Sequence, residues 1–233
     1  MRISDMNWMQ VEERVKVDDR CVIPLGSVEQ HAYLSLAVDM ILAERVAVEA
    51  AASSGVPVFP VVPYGLASGF TDFPGTVSLS LTTYIGVIGD VLNSVYRAGF
   101  RRILFVNGHG GNTPITAYIS EWLNAHSDAT VKFHDWWRGP RVWDKVQEID
   151  PAASHASWME NFPWTRLAEV EMPAMSKPRV DFARLARVDA TRKRQLLGDG
   201  NYHGLYQRPD TDMLAIWDEA IAETRTLIET DWD

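Results

Sequence analysis

Arg102-Ile103-Leu104-Phe105-Val106-Asn107-Gly108-His109-Gly110-Gly111-Asn112 is the stretch on which the fold turns. Its first half is an apolar run without polar alternation, the pattern of a parallel strand covered on both faces. Its second half is a glycine-rich turn with a single histidine, and it leads into a helical pattern over Thr113 to His126. A buried strand that ends in a tight turn and opens a helix is the repeating unit of open α/β sheets. Ligands of such sheets bind outside the carboxyl ends of the strands.

Similar apolar runs occur at Cys21 to Leu25 and Val56 to Val62, with weaker ones at Thr130 to His134 and near Ala168 to Met172. Helical spacing covers Asp39 to Ser53, Thr82 to Ala98 and Asp212 to Glu229, and Gly55 stops the first of these. The alternation predicts an α/β protein: a single-domain three-layer α/β/α sandwich with a mainly parallel sheet over residues 1–233. No repeat, low-complexity stretch or linker divides it.

Composition narrows the function classes. At 46% hydrophobic and 23% charged, 233 residues can build one sizeable core without disulfides. The net charge of −9 repels phosphate backbones, and the basic runs Arg101-Arg102 and Arg192-Lys193-Arg194 are short. They read as a helix-to-strand connection and a solvated helix face, so no nucleic-acid partner is expected. No apolar stretch reaches the ~18 residues a membrane span needs. Met1 to Trp8 show no export signal, and the lone Cys21 forbids an intramolecular disulfide, so a reducing, cytoplasmic setting is the expectation. Cys21 heads an apolar run and reads as a buried strand residue, not a nucleophile.

Three segments carry chemistry. Gly26-Ser27-Val28-Glu29-Gln30-His31 follows the first strand, and Asp39 stands eight residues later at the start of a helix. In extended chain, positions i and i+2 project to one side, so Glu29 and His31 can converge. Asp39 could cap the helix or join them as a metal ligand. In the second segment the glycines around His109 match neither the dinucleotide fingerprint nor the P-loop, and no Lys follows. They present an imidazole of the kind a zinc-like ion prefers. The third is His155-Ala156-Ser157-Trp158-Met159-Glu160. On a helix a five-residue offset turns two side chains about 140° apart, so His155 belongs in a loop and Glu160 in the turns after it.

Taken together, and in this order with Phe73-Pro74-Gly75-Thr76 between them, these segments resemble the creatininase family (creatinine amidohydrolase-like proteins) over roughly residues 20 to 165. The resemblance implies a hydrolase acting on C–N bonds of a small-molecule substrate, with two divalent metal ions per chain (Zn, Mn or Fe), in a homo-oligomer, commonly a hexamer. Asp39 would bridge the two ions. Glu29 and His109 would complete one site, and His31 and Glu160 the other. Creatinine-cleaving members carry that last carboxylate inside the Asn-Gly-His segment, where Gly111 stands here. His155 matches the histidine assigned to proton transfer, and His155 with Glu160 forms the expected catalytic pair.

The chain also departs from the family pattern. Gln-His-Gly-Pro-His-Leu-Pro is replaced by Gln30-His31-Ala32-Tyr33-Leu34-Ser35-Leu36 ahead of Asp39. Ser157 replaces a Gly, and Asn161-Phe162 replaces Thr-Ser. The shortened loop is expected to sit beside the metals, with Tyr33 touching substrate, and to select a small cyclic amide other than creatinine. Trp136, Trp137 and Trp143 fall in a polar, Gly/Pro-containing stretch. Trp136 and Trp137 are read as a wall for a planar substrate, with a subunit interface as the competing use of the stretch. The competing functions are cleavage of a linear formamide or peptide bond, and a non-catalytic metal-binding scaffold.

Overall fold

A computed structural model describes residues 1–232. Three six-residue strands, β1 (Arg20–Leu25), β2 (Arg102–Asn107) and β3 (Thr130–Asp135), form a parallel sheet in the order β1-β2-β3. The helices are α1 (Trp8–Val17), α2 (Val38–Ala50), α3 (Leu81–Arg97), α4 (Ile115–Asn124), α5 (Pro140–Ile149), α6 (Phe182–Leu185), α7 (Ala190–Leu197) and α8 (Asp210–Glu229). Of these, α1, α5 and α6 lie outside the helical patterns expected from the sequence.

Adjacent strand residues point to opposite faces, and this divides the core in two. Cys21, Ile23, Leu25, Ile103 and Phe105 pack with the apolar sides of α3 and α4. Val22, Leu104 and Val106 pack on the other side with α2, α5 and α8. Along α8, Met213, Ile216, Trp217, Ala220, Thr224 and Ile228 form the buried stripe. The result is a single three-layer α/β/α domain, as the strand–helix alternation implies. Cys21 is fully buried in the first core, and desolvation pushes its thiol far up, so it is no nucleophile.

Two of the expected strands differ. Val56 to Val62 does lie along the free edge of β1, but only as isolated parallel bridges, Val22 with Val58 and Leu25 with Val62. Pro57, Pro60 and Pro63 remove the N–H groups a continuous ladder needs. The segment near Ala168 to Met172 contains no strand; Glu169 there takes a positive φ of 64° in a turn. Among the described residues no helix is long and apolar enough to cross a membrane.

The register places the site. Leu25 lies opposite Asn107, and Asn107 opposite Asp135, so all three strands end level. The segments that follow them, beginning at Gly26, Gly108 and Trp136, therefore leave the sheet at one rim.

Candidate metal centre

At that rim, loops from distant parts of the chain are stapled together by two asparagines. Asn107, the last residue of β2, donates to the carbonyl of His109 and to Asp135, both at 2.7 Å. Asn112 donates to Gly26 O and to Asn107 Oδ1, and accepts from Leu66 N–H, all at 3.1 Å. Two of the three glycines between them are steric requirements. A Cβ on Gly108 would lie 2.2 Å from the carbonyl oxygen of Asp39, and one on Gly111 would lie 2.3 Å from both His109 Nε2 and Leu66 O. The turn after β2 is thereby pressed against the first turn of α2.

Asp39 is the second residue of α2 and only 3% exposed. It does not cap the helix: the cap position is Ala37, with no side-chain hydrogen bond. Its two carboxylate oxygens instead face two histidines. Asp39 Oδ1 stands 3.1 Å from His31 Nε2, and Asp39 Oδ2 stands 3.1 Å from His109 Nδ1. Glu29 Oε1 lies 3.2 Å from the same His109 nitrogen, and Glu160 Oε2 lies 3.8 Å from His31 Nε2. Two donor groups result, Glu29–Asp39–His109 and His31–Asp39–Glu160, each with ligand atoms within 4.8 Å of one another. This is the grouping the family resemblance implies.

The donor set fits a pair of cations. Both oxygens of Glu29, Oδ2 of Asp39 and Nε2 of His31 are sealed from solvent and make no hydrogen bond. Orphaned polar atoms at this density are costly unless something compensates them. Donors bonded to one ion at about 2.0–2.2 Å stand ~3–3.5 Å apart, close to the separations seen here. The far nitrogen of each histidine is already committed: His31 Nδ1 to Glu29 O at 3.2 Å, and His109 Nε2 to Leu66 O at 3.1 Å. Carbonyl acceptors of this kind fix the tautomer and aim the other nitrogen's lone pair at a metal.

Glu160 reaches the cluster without a helix of its own. It closes a single 3₁₀ turn, Trp158–Glu160, whose Trp158 and Met159 are sunk in the α2/α5/α8 core together with Phe162. Its Oε2 accepts from Ala156 N–H at 2.6 Å, and Ala156 takes a φ of 58° to make that bond. The departures from the family pattern are absorbed inward. Ser157, fully buried, accepts from Ser154 N–H and donates to Ser154 O, and Phe162 fills the core.

Charge is dense in this pocket. Burial alone would lower the His31 pKa, but Asp39 and Glu160 outweigh it and raise it to about 10. His109 is likewise carried well above its usual range, burial being overcome by Glu29 and Asp39. Burial would raise Asp39, yet the two histidines hold it far below the ordinary carboxylate range. Burial pushes Glu29 up, and pushes Glu160 up to about 7. His155 goes the other way: burial, reinforced by His31, keeps it well below the usual imidazole range and hence neutral at pH 7.

His155 lies beside the cluster, its Nδ1 3.9 Å from Glu29 Oε1 and its ring stacked 5.1 Å from Phe70. A cavity of about 420 Å³ opens over the carboxylates and is walled by Phe70, Trp137, Trp143, Phe182 and Tyr202, with Arg138 alongside. Trp137 is thus at the cavity, but Trp136 is not. It is 2% exposed and packs edge-on against Trp137, Phe162 and Trp217 in the core. Tyr33 is also elsewhere, edge-on to Tyr206 at 5.4 Å. The loop from Ala32 to Leu36 turns away from the cavity, because Leu34 is pulled into the core and Ser35 N–H is tied to Thr165 O. Phe70, Arg138, Phe182 and Tyr202 were missed in the sequence. Phe70 lies three residues before the Phe73-Pro74-Gly75-Thr76 motif and Arg138 within the tryptophan-bearing stretch, whereas Phe182 and Tyr202 come from the C-terminal third, which holds no motif.

Two outcomes are expected. Ala32 sits at φ 51°, where the family pattern has Gly and a β-carbon is strained. Ala32→Gly should raise unfolding stability by about 1 kcal/mol in urea titrations, with metal content unchanged. Metal binding must take the Nε2 lone pair of His31, which otherwise keeps its proton up to about pH 10. Zinc or manganese affinity should therefore rise from about pH 6 to about pH 9, with at least one proton released per chain at neutral pH. Calorimetry in buffers of different ionisation heat measures that release, and binding without proton release would contradict it.

The profile of the creatininase family, described as creatinine amidohydrolase, matches residues 4–199. Creatinine amidohydrolase of Pseudomonas putida is 34% identical over 119 residues, 48% of this chain and 45% of that protein. The 3-dehydro-scyllo-inosose hydrolase of Thermotoga maritima is 32% identical over 107 residues, 45% of this chain and 34% of that protein. The mycofactocin precursor peptide peptidase of Mycolicibacterium smegmatis is 36% identical over 103 residues, 41% of each chain. The matched stretches thus span less than half the length of each of these curated relatives. The fold is shared over nearly the whole chain with a crystal structure of creatinine amidohydrolase, at a TM-score of 0.79 and 24% identity, covering 99% of this chain and 97% of that one. Similar creatininase structures include a Zn–Zn form of a variant, at a TM-score of 0.78 and 22% identity over 99% of this chain and 98% of that one. On the family profile, which covers most of its length, this chain belongs to the creatininase family.

Proposed function

We propose that this chain is a metal-dependent amidohydrolase that opens the C–N bond of a small cyclic amide or imide. The observation that carries the reading is Asp39, a buried carboxylate whose two oxygens face two separate histidine-containing donor groups. Glu29, Asp39 and His109 would hold one divalent ion, and His31, Asp39 and Glu160 the other. Such a pair supplies a water activated near neutral pH and a Lewis acid for a carbonyl oxygen. The three relatives are named an amidohydrolase, a hydrolase and a peptidase, and hydrolysis is the common denominator this site fits.

The chain's own groups supply the rest. Phe70, Trp137 and Trp143 offer flat apolar walls to a ring, and a cavity of about 420 Å³ is in the range for a small molecule. His155, neutral and held against Phe70, offers a ring nitrogen to the reacting carbonyl or its leaving nitrogen. The case against creatinine cannot rest on the loop from Ala32 to Leu36, which faces away. It rests on Gly111, which lines the cavity where creatinine-cleaving members are expected to place a carboxylate. A second groove adjoins the first and shares Phe70, His109, Gly111 and Tyr202 with it. Room for an extended chain there favours peptide-bond cleavage as the second reading.

Asp39→Ala should remove both metals, whereas His31→Ala should mainly deplete one; elemental analysis of the purified variants decides. Equal small losses would show that Asp39 is not the shared ligand. Metal-loaded protein assayed side by side on lactams, cyclic imides, creatinine, formamides and short peptides should give its highest kcat/KM on a cyclic amide or imide. Creatinine as the best substrate would refute the Gly111 argument, and peptides as the best would establish the second reading.

A further inference from the structure

Three donor groups, not two, can be drawn at this centre: Glu29, His31 and His155 also lie within 4.8 Å of one another. Whether His155 is a metal ligand or a group that acts on substrate depends on which of its nitrogens carries hydrogen, and Gln30 settles that. Gln30 is 4% exposed and its amide can sit only one way round. Its Oε1 accepts from Ala32 N–H at 3.2 Å, and its Nε2 faces the carbonyl oxygen of Gly200 at 3.3 Å. Turned over, the amide would set oxygen against oxygen and N–H against N–H. Gly200 holds it from behind: a Cβ there would fall 1.7 Å from Gln30 Oε1.

The same Gln30 Nε2 lies 2.8 Å from His155 Nε2. An amide nitrogen can only donate, so His155 Nε2 must accept, and the ring hydrogen resides on Nδ1. That nitrogen is the one facing Glu29 and the cavity. A nitrogen bearing hydrogen has no lone pair for a metal. We propose that Gln30 is a positioning residue that locks His155 in the Nδ1–H tautomer, withholding it from the metal centre and presenting it as a hydrogen-bond donor to the substrate's carbonyl oxygen. Ala32, strained at φ 51°, supplies the N–H that orients Gln30, and Gly200, after α7, supplies the carbonyl. The metal-ligation half rests on the metal-dependent reading above, whereas the tautomer does not.

Two measurements separate these. The ¹⁵N spectrum of histidine-labelled, metal-free protein, with His155 assigned by its loss in His155→Ala, should show Nδ1 protonated and Nε2 bare. The reverse pattern would overturn the proposal whether or not the protein binds metal. Cobalt(II) is the second probe. His155→Ala should leave the visible spectrum of the cobalt-loaded protein unchanged. Gln30→Glu puts an acceptor opposite Nε2, as in the carboxylate–histidine–metal arrangement, and frees Nδ1 to ligate. Its cobalt spectrum should change, and adding His155→Ala to it should restore the original. Gln30→Met, similar in size and without polar atoms, controls for folding: it should keep the native melting transition while the tautomer signal broadens or splits. A Gln30→Glu protein with an unaltered cobalt spectrum and tautomer would refute the role assigned to Gln30. Absence of cobalt binding in the parent protein would instead sink the metal reading and leave the ¹⁵N result to decide this one.

Discussion

Everything at the rim of the sheet is organised around one buried carboxylate. Asp39 is held by α2, and it faces His31 from the loop after β1 and His109 from the turn after β2. A lone carboxylate at that depth would lose its hydration without return. Here the loss is offset by opposite charge on both sides, which requires three chain segments to meet within hydrogen-bonding distance. Removing one partner of such an arrangement costs far more than the pair contributes to stability. The arrangement therefore marks function more than it marks stability.

The packing around it serves that meeting. Small residues clear the space: Gly108 lets the turn after β2 touch the backbone of Asp39, and Ala43 and Ala47 keep α2 close to the sheet. Asparagines replace missing ladder bonds at the strand ends. The turn bearing His155 and Glu160 has little regular structure, and it is fixed by what it buries, Trp158, Met159 and Phe162. A rigid core thus sets the geometry of side chains carried on irregular segments, which is the usual division of labour at α/β sites.

The histidines divide by their outer hydrogen bonds. His31 and His109 each spend one nitrogen on a backbone carbonyl and direct the other inward, toward the carboxylates. His155 meets an amide donor instead, at Gln30 Nε2. Three imidazoles within one pocket are thereby sorted by a single difference in their outer partners, an acceptor for two and a donor for the third.

The layered α/β fold and most of the polar cluster are legible in the chain's residues alone, for a local reason. Buried parallel strands are continuous apolar runs, and the residues just past their ends stand at the rim whatever the rest of the chain does. Glu29, His31, Asp39 and His109 were legible on that ground, while the sharing of Asp39 between two sites and the inclusion of Glu160 came from the family resemblance. Long-range packing sets the remainder. Trp136 and Trp137 are neighbours of one type, yet one is core and the other cavity wall, because the side each takes depends on α8 and Phe162 packing against it. The run from Val56 to Val62 reads as a strand by hydropathy, but its prolines cannot complete the ladder. Tyr33 faces away because Leu34 beside it is drawn into the core. Phe182, Gly200 and Tyr202 reach the site through the path of a C-terminal third that holds no motif, and contacts between residues so distant in sequence leave no local pattern to read.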